Sequence, residues 1–179
     1  MSATTRPAWA DELGRRLDAL AADPPTAGRP VEVDLTVRGR DVTVGVAGVE
    51  RYGCEVTGVS VRGASTGVGG HAGGAPPPPD WPPVRKVAEG VAAKVRYLGE
   101  PLSVSEVDSD AGTAIVRSVR VRATPDGGRF EQVVVRRGDV TLTGQHVAPD
   151  GGRHPAPLVV TRDTLGRVID DLVDCSKTR

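Results

Sequence analysis

Hydrophobic residues recur along this chain with two periods, and the switches between them outline its elements. Trp9, Leu13, Leu17 and Leu20 return at helical spacing after Pro7, with Thr5 available just before it. The spacing predicts an amphipathic helix, ended by Asp23, Pro24 and Pro25 because proline neither donates an amide nor follows a helical residue comfortably. Val31, Val33, Leu35 and Val37 then alternate with Glu32, Asp34 and Thr36, and the alternation resumes at Val42, Val44 and Val46 after the turn Arg38, Gly39, Arg40, Asp41. A period of two with one apolar and one polar face marks a half-buried antiparallel hairpin. A third strand is expected over residues 52–61, where the apolar phase slips between Val56 and Val59; Gly58 at the slip points to a bulge.

The pattern stops over residues 63–83, where glycine gives way to Pro76, Pro77, Pro78 and Pro79. This stretch reads as a flexible and then stiffer spacer, in preference to a polyproline ligand, with Trp81 tacking its end onto the fold. Helical spacing returns at Val84, Val87, Val91, Val95 and Leu98, closed by Gly99. Four alternating segments follow, at 102–107, 113–122, 130–136 and 140–147, separated by turns that include Pro125, Asp126, Gly127 and Arg137, Gly138, Asp139. After a loop over 148–157 and a short apolar run at 158–160, Thr161 caps a helix striped by Leu165, Val168, Ile169, Leu172 and Val173. The expected fold is α+β: an antiparallel sheet of about seven strands in meander-type hairpins, with three helices on one face, in the order αβββ-linker-αββββ-α. Residues 1–62 form an N-terminal part, 63–83 the linker and 84–179 a C-terminal part, and the pattern leaves open whether the two parts share one sheet. A weak echo, VRGRDVTV from Val37 and VRRGDVTL from Val135, fits either a duplicated αβββ unit or a chance match of simple composition.

Composition narrows the function classes. The 179 residues carry a formal net charge of zero, which argues against a general nucleic-acid or anionic-membrane binder and makes any such role local. Lys86, Lys94 and Lys177 are the only lysines among 23 basic residues, a skew that resembles high-GC codon usage in a bacterial protein and takes functional weight from the choice of arginine. Aromatic residues make up 3 %, so the core must be mainly valine, which suits strands. Cys54 and Cys175 fit neither a disulfide framework nor a metal spacing and read as buried thiols. No export signal or membrane-length apolar run is visible, and the expected location is the cytoplasm.

Candidate chemistry is sparse. His71, His146 and His154 have no HExxH, CxxC or paired-histidine context and read as exposed polar residues. No serine sits in a GxSxG elbow, and the glycine-rich stretch does not lead into a phosphate-loop helix. Glu106, Asp108 and Asp110 hint at a divalent-cation loop but lack its closing glutamate, so a polar turn is the simpler account. Asp170, Asp171 and Asp174 read as the solvated face of the last helix, unfavourably near its negative end. No cofactor or metal is expected.

What remains is the arginine-bearing hairpin. Arg117, Arg120, Arg122, Arg129, Arg136 and Arg137 fall between Thr113 and Arg137, against only Asp126 and Glu131. Arg120 and Arg122 share one strand face, expected to be the wet outer one with Arg120 paired across to Glu131. Arg117 falls on the other face with Val119 and Val121 unless a bulge intervenes, and Arg129, Arg136 and Arg137 lie on or beside the next strand. Three functional readings follow. The first is a non-catalytic protein-binding or adaptor domain using its exposed sheet face. The second is nucleic-acid or phospholigand binding through the arginines, weakened for RNA because Phe130 is the only aromatic nearby. The third is an enzyme whose site is assembled from distant loops.

Overall fold

A computed structural model describes residues 7–24, 29–63 and 80–177. Three helices, α1 (Ala8–Ala22), α2 (Val84–Lys94) and α3 (Arg162–Cys175), lie on one side of a ten-stranded antiparallel sheet. The strands are β1 (Val31–Val37), β2 (Arg40–Val49), β3 (Cys54–Gly63), β4 (Leu102–Asp108), β5 (Thr113–Ser118), β6 (Arg122–Thr124), β7 (Gly127–Arg136), β8 (Asp139–Val147), β9 (Arg153–Ala156) and β10 (Leu158–Val160). Their spatial order is β1-β2-β3-β8-β7-β5-β4, so a meander from each half of the chain meets the other where β3 pairs with β8. The α+β class and the meander hairpins are those the periodicity predicts. The linker reading falls largely on residues 64–79, and with His71 and Pro76 to Pro79 lies outside the described residues.

Three details differ from the sequence expectation. Three short strands bring the count above seven: β6 pairs with β7, β9 with β8, and β10 with β3. The segment expected as one strand over 113–122 breaks after Ser118, leaving Val119 and Val121 58 % and 55 % exposed instead of packed in the core. The break has a local cause. The Ser118 hydroxyl accepts the Glu131 amide at 2.9 Å and donates to the Glu131 carboxylate, occupying the ladder position that a backbone group would fill. Helix α2 ends at Lys94, not Leu98; the Val95 amide closes on the Val91 carbonyl, and the chain then turns Tyr97 towards α3. The bulge in β3 falls where the apolar phase predicts it, with Thr57 the extra residue between the pairs Gly45–Gly58 and Val46–Val56. The two echo turns occupy different places, one after the first strand of its meander and the other before the last strand of its own.

The inner face carries the core. Val37, Val42, Val44, Val61, Val133, Val135, Val140 and Leu142 are fully covered, packed with Leu17, Val87, Val91, Ile169 and Leu172 from the helices. On the outer face one row of residues crosses seven strands: Thr36, Asp41, Arg62, Asp139, Arg136, Thr113 and Asp108 stand opposite one another in turn. Its charges alternate in sign, with Asp139 3.6 Å from Arg62 and 3.9 Å from Arg136. Opposite charges on neighbouring strands support one another, so this row stabilises the sheet while keeping its outer face polar.

The aspartates of α3 are not a solvated face. Arg38, at positive φ in the β1–β2 turn, reaches Asp174 at 2.6 Å and Asp170 at 2.8 Å. Lys94 of α2 adds a bond to Asp174 at 3.2 Å, and the Tyr97 hydroxyl donates to Asp171 at 2.8 Å while Arg167 lies over its ring. Cations from other elements thus offset the unfavourable placement near the helix C-terminus. Burial raises the Asp170 carboxyl above its ordinary range against the pull of Arg38. Deeper still is Arg40, 3 % exposed, which forks onto Asp80 at 2.7 and 3.2 Å, donates to the Ser176 carbonyl at 2.7 Å and lies over the Trp81 ring.

Two tests follow from these anchors. Arg40→Met removes the fork and leaves the Ser176 carbonyl unpaired, and should cost about 2–4 kcal/mol in urea unfolding. Asp80→Asn, at a half-exposed position, should cost clearly less. Tyr97 provides the second: burial, the hydrogen bond to Asp171 and the charges of Asp171 and Asp170 raise its phenol. A folded value above the unfolded one contributes stability that is whole below about pH 10 and is lost as pH rises beyond it. Alkaline denaturation monitored by phenolate absorbance should therefore be blunted in Tyr97→Phe, and an unchanged alkaline limb would contradict this.

Candidate functional site

The β6–β7 hairpin turns through Pro125 and Asp126, and Gly127 follows with φ of +139°. A side chain there would strike the Val147 carbonyl, so glycine is required for β7 to lie this close to β8. The resulting register places Arg122 opposite Arg129, Arg129 opposite His146, and His146 opposite His154. Directly paired residues of antiparallel strands share a face. Arg129 shares its face with Glu131, Val133 and Val135, the last three all buried, so this row of two guanidiniums and two imidazoles lies on the inner face, along the strands from the core.

The row borders a cavity of about 170 Å³ lined by Arg122, Arg129 and Glu131 and, on its apolar side, by Leu98, Ala156 and Leu158. This is smaller than the roughly 300–1,000 Å³ of drug-sized pockets and suits one small molecule or a head group. Glu131 is 5 % exposed; its carboxylate accepts from Ser118 and stands 3.7 Å from Arg122 Nη2. Arg122 in turn lies against Gly99, where φ of +111° and the nearby guanidinium both favour glycine. Two nitrogens of the row, Arg129 Nε and His146 Nε2, are buried without a hydrogen-bond partner. His146 Nε2 is 3.4 Å from Asp126 Oδ2, but not in hydrogen-bonding geometry. Buried polar atoms nearly always find a partner. Arg129 Nε can only donate, so its vacancy marks a place where an acceptor belongs, whereas His146 Nε2 donates or accepts according to its tautomer.

The six arginines do not form one patch. Arg117 and Arg136 lie on the outer face, where Arg117 donates to Gln132 at 3.0 Å and Arg136 belongs to the alternating row. Arg137 folds over Gly112 and reaches the Ser109 carbonyl at 3.3 Å, holding the β4–β5 turn. Arg120 stands exposed in the break between β5 and β6, and the carboxylate expected to pair with it is Arg122's instead. Only Arg122 and Arg129 converge. His146, expected as exposed, has a side chain only 19 % exposed because it sits beneath the hairpin beside Asp126. His154 is exposed, as expected. Asp108 accepts the Ala111 amide at 2.8 Å as a turn residue, and no group of three potential ligands that could hold a metal exists among the described residues. Cys54 and Cys175 are both buried, and burial raises the Cys54 thiol.

Glu131 and His146 escaped notice as site residues because each lacks a local motif. A signal existed for the pair Arg129 and His146: the two-residue turn at Arg137 and Gly138 pairs Arg136 with Asp139, and counting back seven residues on each strand brings Arg129 opposite His146. No protein-family model, curated protein or solved structure matches the chain. The cavity wall depends on Gly144, where an added Cβ would come within 2.4 Å of the Ala156 carbonyl and 3.2 Å of Leu158. Gly144→Ala should push β9 away and cost about 1–3 kcal/mol in thermal or denaturant unfolding; a neutral substitution would show that β9 is not held against β8.

Proposed function

We propose that this chain is a ligand-binding domain whose ligand presents an anionic group, a carboxylate or a phosphate, to Arg122 and Arg129 at the inner-face cavity. The observation that carries this reading is the contrast between the two charged rows of the same sheet. The outer row alternates in sign. The inner one sets Arg122 directly opposite Arg129 and continues into His146 and His154, an arrangement in which like charges facing one another cost stability. Asp126 and Glu131 flank this row, yet Arg129 Nε and His146 Nε2 still have no hydrogen-bond partner. An anion seated in the cavity would relieve the repulsion between the two guanidiniums and give Arg129 a charge-assisted hydrogen bond. The small cavity favours a compact ligand over a nucleic-acid strand, and the zero net charge of the chain agrees. Among the described residues the outer row has one buried atom without a hydrogen-bond partner, Asp139 Oδ1, against two in the inner row.

The test is calorimetric or NMR titration with inorganic phosphate and with short carboxylates at low and moderate ionic strength. Saturable binding is expected, weakened about tenfold or more by Arg129→Gln and by Arg122→Gln, as loss of a charge-assisted bond implies. Arg136→Gln, in the outer row, should leave it unchanged. Absence of saturable binding at low salt, or an equal loss in Arg136→Gln, would remove the inner row as the site.

A further inference from the structure

A site built only for an anion would not contain Glu131. Its carboxylate is 5 % exposed and lines the cavity, close to where the anion would sit. At that range and in that environment the repulsion is substantial. The two oxygens are unequally served. Oε2 accepts from the Ser118 hydroxyl, whereas Oε1 has Arg122 Nη2 at 3.7 Å, beyond hydrogen-bond length. Arg129 also lines the cavity, and its Nε has no acceptor. The third component of the wall, Leu98, Ala156 and Leu158, is apolar.

An acceptor wanting a donor, a donor wanting an acceptor and an apolar wall, enclosing about 170 Å³, define a ligand by chemistry. That space holds on the order of ten water-sized positions, enough for one small organic molecule. Building on the anion-binding reading above, we infer that the ligand is a free α-amino acid with an aliphatic side chain. Its carboxylate is received by Arg129, its ammonium donates to Oε1 of Glu131, and its side chain lies against Leu98 and Leu158. The zwitterion satisfies both signs at once and brings no net charge into a half-buried site, which neither phosphate nor a simple carboxylate achieves. Ser118 is then a positioning residue, since its hydroxyl holds the Glu131 carboxylate and its interruption of the ladder separates β5 from β6.

The experiment titrates the unmodified chain with three ligands of the same skeleton: leucine, isocaproate, which lacks the ammonium, and isopentylamine, which lacks the carboxylate. Leucine is expected to bind at least about tenfold more tightly than either, the discrimination conferred by one charge-assisted bond. In Glu131→Gln the advantage of leucine over isocaproate should vanish while isocaproate binds as well or better. If isocaproate matches leucine in the unmodified chain, the amino-acid inference fails and the anion-binding reading stands. If isopentylamine matches leucine, or if neither carboxylate ligand binds, the amino-acid inference fails and the anion-binding reading is decided by the phosphate titration. The three-ligand comparison needs no variant, so it remains decisive even where Glu131→Gln does not fold.

Discussion

The buried guanidinium of Arg40 is the interaction on which the rest of the structure depends. It projects from the first residue of β2, on the core face, and its partners come from two places: Asp80 and Trp81 before α2, and Ser176 after α3. A buried charge is tolerable only when paired and hydrogen-bonded, and here that condition is met only after the sheet, the last helix and the entry to α2 have all assembled. Two residues earlier Arg38 repeats the device outside the core, spanning Asp170 and Asp174. One turn between two strands thereby pins α3 across the sheet.

With the helices held in this way, the two faces of the sheet solve the same problem differently. Outside, every charged position of the row from Asp41 to Arg136 has an opposite charge as neighbour, and hydroxyls answer one another in the next row, as Ser60 and Thr141 do at 2.8 Å. Inside, beyond the valine core, the hairpin of β6 and β7 carries the sheet past the helices and brings four nitrogen-bearing side chains into line. Proteins tolerate local conflict of this kind mainly where a site needs it.

Much of the candidate site was legible in principle and misread in one place. The turn at Arg137 and Gly138 sets the register that brings Arg129 to His146, and the turn at Pro125 and Asp126 brings Arg122 to Arg129, so the row follows from counting residues across two hairpins. The sequence Val119, Arg120, Val121, Arg122 obscured it. That alternation imitates a continuing strand, whereas the Ser118 hydroxyl ends the strand and leaves both valines outside. Side-chain capture of a ladder position leaves no periodic trace, because serine is common in strands and turns alike. The α3 aspartates were misread for a related reason: their partners Arg38, Lys94 and Tyr97 lie 74 to 136 residues away.

By itself the sequence determined the helices, the long strands, the hairpins between them and the inward face of the valines in those long strands, Val119 and Val121 excepted, because these depend on periods of two and 3.6 and on turn residues acting over a few positions. The tertiary structure alone decided how the two meanders join through β3 and β8, where β9 and β10 close against them, and which charges meet. It also decided that of six arginines only two converge, since β5 ends at Ser118 with three residues between it and β6, and a residue's face inverts with each step along a strand. The cavity belongs wholly to that second level. Leu98, Arg129, Glu131 and Leu158 are apolar or charged residues without a motif, and their meeting arises from how the strands are paired and where α2 stops.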